Sequence, residues 1–353
     1  MKLIHCADFH LDAPLRTNLP PEAARQRQAE LLQTFGRMAD YAQTHGVSAI
    51  LIAGDLFDSP SPRRNVTDYV TETIEKHPDI HFFYLRGNHD ATMTFSRIPE
   101  NLHLFSSEWQ QYLCGEVIIH GAEDRRTPAD YAGLIPDADA CNIVLLHGQA
   151  AAVAGAESIP LPLLRGRGID YLALGHIHSW RTESLDIRGH WVCAGCPEGR
   201  GFDESGPKGF VLLDVKNRRL TAEFVPFACR TLHTCNVNIT GATTLMQQCD
   251  RVMEAVADLP AQDMADVVLT GAILPGQIPD TSFLMQQLAG RFFMARVTDR
   301  TRMVIDRTRY QQEVSLKGAF FRLAESDPKL SPEDLDYVLR AGFAALDGEP
   351  IPM

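Results

Sequence analysis

The sequence predicts a mixed α/β protein, and three observations carry that expectation. Short continuous apolar runs such as SAILIAG (48–54) alternate with segments of helical periodicity over the first two-thirds of the chain, as buried strands alternate with the helices that cover them. Several of these runs end in the same way, in polar side chains that bind metals. Near residue 230 the pattern resets to shorter strand and helix units, and from about 310 to two helix-like segments.

KLIHCA reads as the first strand, followed by PEAARQRQAELLQTFGRMADYAQTHG with helical periodicity and Gly46 as its C-terminal stop. SAILIAG is a strand, residues 64–77 a helix and HFFYLRG a strand, a βαβ-like order that predicts parallel pairing. EVIIHG, NIVLLHG, DYLALG, HWVCAG, GFVLLDV and RLTAEFVPF are further strands. They follow one another without long helices, which predicts antiparallel pairing among them. After residue 229, LHTCNVNIT, TLMQQCDRVMEAVADL, ADVVLTGAI, SFLMQQLAGR and FFMARVT form a small βαβαβ unit. YQQEVSLKGAFFRLAES and SPEDLDYVLRAGFAALDG read as two helices, the second opened by Ser331. The expected domains are therefore 1–228, 229–305 and 306–353, in keeping with a chain of 353 residues.

A net charge of −12 excludes a broad basic field, so any attraction for phosphate must be local. The opening MKLIHCADFHLD lacks the long apolar stretch of a signal peptide, and no run has the length of a membrane span. A cytoplasmic protein without a membrane partner is expected. The eight cysteines follow no framework spacing, and the Cys193–Cys196 pair reads as buried thiols because no second CxxC completes a zinc site.

The strand ends carry the chemistry. KLIHCA runs into Asp8 and His10, SAILIAG into Asp55 and Asp58, HFFYLRG into Asn88, His89 and Asp90, NIVLL into His147, and DYLALG into His176 and His178. Carboxyl ends of strands in open α/β sheets converge on one crevice. In an extended segment residues two apart share a side, so Asp8 with His10, and His176 with His178, would each grip one centre. A mixed set of His, Asp and Asn suits manganese, iron, cobalt or zinc, and exceeds what one ion needs. Two divalent ions about 3.5–4 Å apart would use it all, with Asp55 as the best bridging candidate. His5 and His120, also at or within strands, read as hydrogen-bonded core histidines.

These pieces, D-x-H, G-D-x-x-D, G-N-H-D, H-G and G-H-x-H, resemble the calcineurin-like metallophosphoesterases over residues 1–228. The resemblance implies a four-layer αββα double-sheet sandwich. It implies Asp8, His10 and His178 on one metal, Asn88, His147 and His176 on the other, and Asp55 between them. His89 would stand beside the substrate phosphate with Asp90 orienting it, and Asp58 joins them as a catalytic candidate. HCADFHLDAPL, AGDLFDSPSP and CPEGRGFDESGPKGF are similar to the SbcD family of DNA repair nucleases, in particular its YhaO-like bacterial branch. That similarity implies manganese, DNA as substrate, a small α+β capping domain, and a helical hairpin at 310–347 docking on an SbcC-type coiled-coil ATPase, with a homodimer as a further expectation. Asp58 stands where archaeal and eukaryotic relatives have His, and Ser179 where a basic residue is frequent. Arg200 is either a phosphate clamp or a surface arginine. The leading function is a two-metal DNA exo/endonuclease with His89 as general acid; the alternative is a phosphodiesterase or phosphatase acting on a small nucleotide, with the cap as a specificity lid.

Overall fold

The computed structural model describes residues 1–15, 19–124, 127–274 and 277–348, so the last five positions of the expected segment 306–353 lie outside them. The chain forms two compact units, Met1–His233 and Thr234–Met353.

The first unit is built on two six-stranded sheets. One runs in the order Arg219–Pro226, Gly209–Lys216, Lys2–Cys6, Val47–Ala53, His81–Leu85, Leu102–Leu104. The other runs Arg181–Ser184, His190–Cys193, Tyr171–Gly175, Cys141–His147, Val117–Gly121, Gln110–Cys114. Alternation along the strands decides which side chains meet. Ala49, Leu51 and Phe83 of the first sheet share a core with Ile119, Ile143, Leu145 and Ala173 of the second. The intervening Ile50, Ile52 and Phe82 turn outward and are equally buried. The helix Pro21–Thr44 offers them Leu31, Phe35 and Met38, spaced three to four apart along one face. Phe35 lies 5.5 Å from Phe9 and 6.4 Å from Phe82, ring centre to ring centre. The outer face of the second sheet is covered by the short turns Pro128–Tyr131 and Leu161–Leu164, with Tyr131, Leu164, Leu172 and Trp191 in one cluster.

Pairing in the second sheet differs from the expectation. Val117–Gly121, Cys141–His147, Tyr171–Gly175 and His190–Cys193 are mutually parallel, and only its outer strands pair antiparallel. The connections between them are long enough to cross over without a long helix. The antiparallel hairpin Gly209–Pro226 belongs instead to the first sheet. Short strands such as Gln110–Cys114 and Arg181–Ser184 carry too few buried residues to show as apolar runs.

A buried ionic cluster ties the first helix to the segment after the CxxC. Arg27, fully buried, donates to Glu198 (2.9 Å) and to the carbonyl of Gly199 (2.8 Å). Glu198 also accepts from the Thr34 hydroxyl (2.7 Å) and the Cys229 amide (2.6 Å). An arginine without these acceptors would not be buried there.

In the second unit, strands Leu232–Asn238, Met264–Thr270 and Met294–Asp299 form one sheet, covered by helices Leu245–Ala255 and Thr281–Leu288 around Val237, Val252, Val267 and Leu284. The segment expected as one helix from Tyr310 is two, Arg307–Gln312 and Leu316–Glu325. Ser315 breaks it by accepting the Gly318 amide as an N-cap, while Glu313 turns extended. The helix Pro332–Asp347 starts on Ser331 and stops at Gly348, which has φ +74°. Tyr310, Phe321, Leu339 and Phe343 form a small core of their own.

Candidate metal centre

The carboxyl ends of both sheets meet at one place. The loops after Lys2–Cys6 and Val47–Ala53 run side by side, zipped by amides of Asp8, His10 and Leu11 donating to carbonyls of Gly54, Asp55 and Leu56. Asp8 and His10 are not extended, as the i, i+2 argument supposed. Both take left-handed backbone, φ 54° and 48°, as do Asp55 at 49° and His176 at 82°. The side chains still converge because successive kinks, rather than strand pleating, aim them. Glycines make room for this. Gly54 has φ +90°, and a Cβ on Gly175 would collide with the Ala53 carbonyl and with the His147 ring.

Asp8 Oδ1 accepts the His176 amide across the two sheets at 2.9 Å, and Asp55 Oδ1 accepts the His89 amide at 2.9 Å. Three imidazoles are oriented from behind by acceptors on Nδ1. His10 donates to Asp58 (3.0 Å), His178 to Glu204 (2.7 Å) and His147 to the Ala53 carbonyl (2.8 Å). In His10 and His178 this leaves an unprotonated Nε2 facing inward, whereas the inward Nε2 of His147 faces the Asn88 and Asp55 oxygens and carries a proton in the metal-free protein. The Nε2 atoms of His10 and His178 lie 3.2 Å apart, too close for two facing lone pairs without positive charge between them. Asp8 joins these two in one potential ligand group, and Asp8, Asp55 and His147 form another. His147 Nε2 lies 2.9 Å from Asn88 Oδ1 and 3.3 Å from Asp55 Oδ2. The His176 ring stands 5.4 Å from that of His147. Among the described residues, Asp8 Oδ2 is buried without a hydrogen-bond partner. A divalent cation fits all of these demands.

The electrostatics agree. Burial disfavours the imidazolium of His147, but its hydrogen bond to Asp55 and the charges of Asp8 and Asp55 outweigh that and raise its pKa to about 9. Burial likewise opposes ionisation of Asp55, yet His147, His10 and the His89 amide hold its carboxyl far below the usual range. His10 and His176 are shifted down, chiefly by burial. A proton on His147 thus stands in for part of the positive charge.

The remaining candidates lie around this group. Asp58, expected as catalytic, has its carboxylate on His10 Nδ1, behind a ligand position. His89 is exposed, its ring edge-on to His10 at 4.7 Å, with Nδ1 3.3 Å from the Asp58 carbonyl oxygen. Asp90 does not orient His89. Its oxygens accept from the Tyr84 hydroxyl, the Phe57 amide (3.1 Å) and the Gly87 amide (2.7 Å), which fixes the loop that carries Asn88. Burial raises the Asp90 pKa against those hydrogen bonds. Arg200 is no free surface arginine. It donates through Nη2 to Glu204 (2.8 Å) and approaches Asp58 at 3.5 Å. Its Nη2 also lies 3.0 Å from His178 Nδ1, where the two share the Glu204 oxygen as acceptor, since a lone pair on Nδ1 would face the carboxylate.

Glu204, in contact with His178 Nδ1, is the residue of this group that sequence reasoning passed over; its one signal is the four-residue spacing from Arg200 in GRGFDE. His5 and His120 are core histidines, near the Tyr171 hydroxyl (2.9 Å) and the Asn142 amide oxygen (3.0 Å). Cys193 and Cys196 are buried free thiols, the first pushed up to about 12 by burial. A cavity of about 410 Å³ opens beside Asn88 and His147, walled by Leu85, Leu146 and Ile159.

Comparison with known proteins agrees with this geometry. A family model described as calcineurin-like phosphoesterase matches residues 1–180. The chain is 28% identical over 250 residues to the uncharacterized metallophosphoesterase YhaO of Bacillus subtilis (strain 168), covering 64% of this chain and 60% of that protein. It is 26% identical over 262 residues to the DNA double-strand break repair protein Mre11 of Sulfurisphaera tokodaii, covering 67% and 65%. It is 25% identical over 275 residues to the SbcD component of the nuclease SbcCD of Escherichia coli (strain K12), covering 62% and 66%. The matches span less than two-thirds of the length of these relatives. The matched family comprises metal-dependent hydrolases of phosphoesters with a dinuclear divalent metal centre, for which the clusters above are candidate ligands. With a match over half its length that takes in Asp8, His10, Asp55, Asn88, His147, His176 and His178, the chain belongs to the calcineurin-like phosphoesterases.

Proposed function

We propose that this metal-dependent phosphoester hydrolase is a manganese-dependent DNA nuclease of the SbcD type. The observation that carries the metal reading is the inward Nε2 of His10, His178 and His147, each locked by an acceptor on Nδ1, around the partnerless Asp8 oxygen. Asp8, His10 and His178 would hold one ion, Asn88, His147 and His176 the other, and Asp55 both. Bound divalent ions supply a hydroxide near neutral pH and neutralise charge on the phosphoryl oxygens. His89 donates Nδ1–H to the Asp58 carbonyl, and as the imidazolium it would carry a second proton on Nε2 to give to the departing sugar oxygen, leaving the neutral ring. Asp58 and Arg200 hold the wall of the site beside it.

The DNA reading is supported by the nuclease and break-repair relatives. An ATPase of the SbcC type as partner, docking on 310–347, is supported by apolar side chains that the hairpin leaves outside its own core, Val314 fully exposed and Leu316 and Leu323 each 72% exposed. Hydrolysis of a small nucleotide diester is the second reading, favoured by the cavity beside His147 and by the charge of −12. Purified protein with manganese, assayed on linear duplex DNA and on bis-p-nitrophenyl phosphate, separates the two. Degradation of DNA is the expected result; cleavage of small diesters alone would leave the second reading.

A further inference from the structure

We propose that Glu204 is a positioning residue for the subsite formed by Asp8, His10 and His178, and that with Asp58 and Arg200 it makes this the tighter of the two metal subsites. The inference rests on the two-metal reading and ranks its halves. His10 and His178 each donate Nδ1–H to a carboxylate, Asp58 and Glu204. An anionic acceptor fixes the tautomer and strengthens the imidazole as a donor to metal. Arg200 lies between the two carboxylates, at 2.8 Å from Glu204 and 3.5 Å from Asp58, and so holds both rings through one guanidinium. Glu204 is buried, and it takes the Arg200 backbone amide (2.8 Å) and Nε (3.1 Å) as well. Its loop is anchored in turn by Glu198 on the Arg27 cluster.

Among the described residues, the other subsite has no comparable carboxylate behind its histidines. His147 donates to a neutral carbonyl, Asn88 is uncharged, and the acid near His176, Glu157, stands 4.0 Å away and is more than half exposed. One half of the centre is therefore preorganised by charge and the other by neutral dipoles.

The full-length chain, stripped of metal, is titrated with manganese(II) alone while electron paramagnetic resonance counts the free ion. Wild type is expected to bind two ions in two resolved steps. In Glu204→Ala the tighter step weakens by about 10–100-fold, the usual cost of removing such a partner, and the weaker step stays put. Glu204→Gln, which keeps an acceptor for Nδ1–H without the charge, falls between them. A merely structural role would shift both steps together or neither, and either result overturns the inference, as does loss of the weaker step alone. If Glu204→Ala does not fold, Asp58→Ala decides through His10 from a different loop: loss of the tighter step supports the proposal, and an unchanged tighter step overturns it. Wild type binding fewer than two ions would overturn the two-metal reading itself, and this inference with it.

Discussion

His147 shows how the charge of the site is balanced, and that balance has a pH signature. Its folded pKa of about 9 lies above the ordinary 6.5, so its pairing with Asp55 stabilises the metal-free protein fully below pH 6.5. That contribution is lost as pH rises through 9. Asp55 is depressed from 3.8, so its contribution is present above that value and is lost as pH falls below it. Thermal unfolding of chelator-treated protein should therefore show Tm falling between pH 6.5 and 9. Manganese-loaded protein should not show that fall, because His147 must then be deprotonated at every pH where metal is bound. His89 makes a different prediction. His89 falls in a potential ligand group with His10 and Asp58; if it acts instead as the proton donor proposed above, His89→Gln should keep its manganese content while DNA cleavage drops about 10²–10⁴-fold. Bis-p-nitrophenyl phosphate, whose leaving group needs less help, should suffer less; equal losses on both substrates would contradict the acid role. All seven ligand candidates were legible in the sequence because strand-end His, Asp and Asn form a rare constellation. Glu204 was not, because an acid reaching a ligand through a loop has no fixed spacing from that ligand, only the four residues that separate it from Arg200. Asp90 differs from the expectation because its carboxylate closes back on the Gly87 amide and Tyr84 of its own strand end and on the distant Phe57 amide, a turn of the loop that the motif does not reveal.

At the level of elements, the site depends on how closely the strand ends of the two sheets approach. Gly175, the last residue of Tyr171–Gly175, lies against the Ala53 carbonyl at the end of Val47–Ala53 and beside the His147 ring. Gly175→Ala should therefore destabilise the chain by about 1–3 kcal/mol, the range for overpacking, and weaken manganese binding through His147. Denaturant melts with and without metal would measure both; an unchanged midpoint would show that the sheets can part without cost. The strands that carry ligands were read correctly because they are buried on both faces and so continuously apolar. The parallel pairing of Lys2–Cys6, Val47–Ala53 and His81–Leu85 was read as well, but that of Cys141–His147 and Tyr171–Gly175 was not, because connection length bounds a crossover without deciding it. The break at Ser315 escaped for a local reason. A serine with glycine three residues on caps a helix only if the preceding turn unwinds, which a periodic pattern does not reveal.

At the scale of the molecule, the second unit divides its apolar surface unevenly. Phe321, Leu339 and Phe343 close a small core, while Val314, Leu316 and Leu323 face outward. Ending the chain at residue 309 removes that core together with the outward residues. The truncated protein should still hydrolyse small diesters, and should no longer co-purify with an SbcC-type ATPase; persistence of that association would assign docking elsewhere. The left-handed backbone at Asp8, His10, Asp55 and His176 has a consequence of another kind. Each such residue costs roughly 1–2 kcal/mol that glycine would not incur. Backbone conformation alone would thus favour glycine at these four positions, and at Asp8 and Asp55 that preference is set against the His176 and His89 amides and the His147 ring that their carboxylates hold. Persistence of the four residues in a lineage would report continued use of the site, and their replacement by glycine would be an early mark of its abandonment.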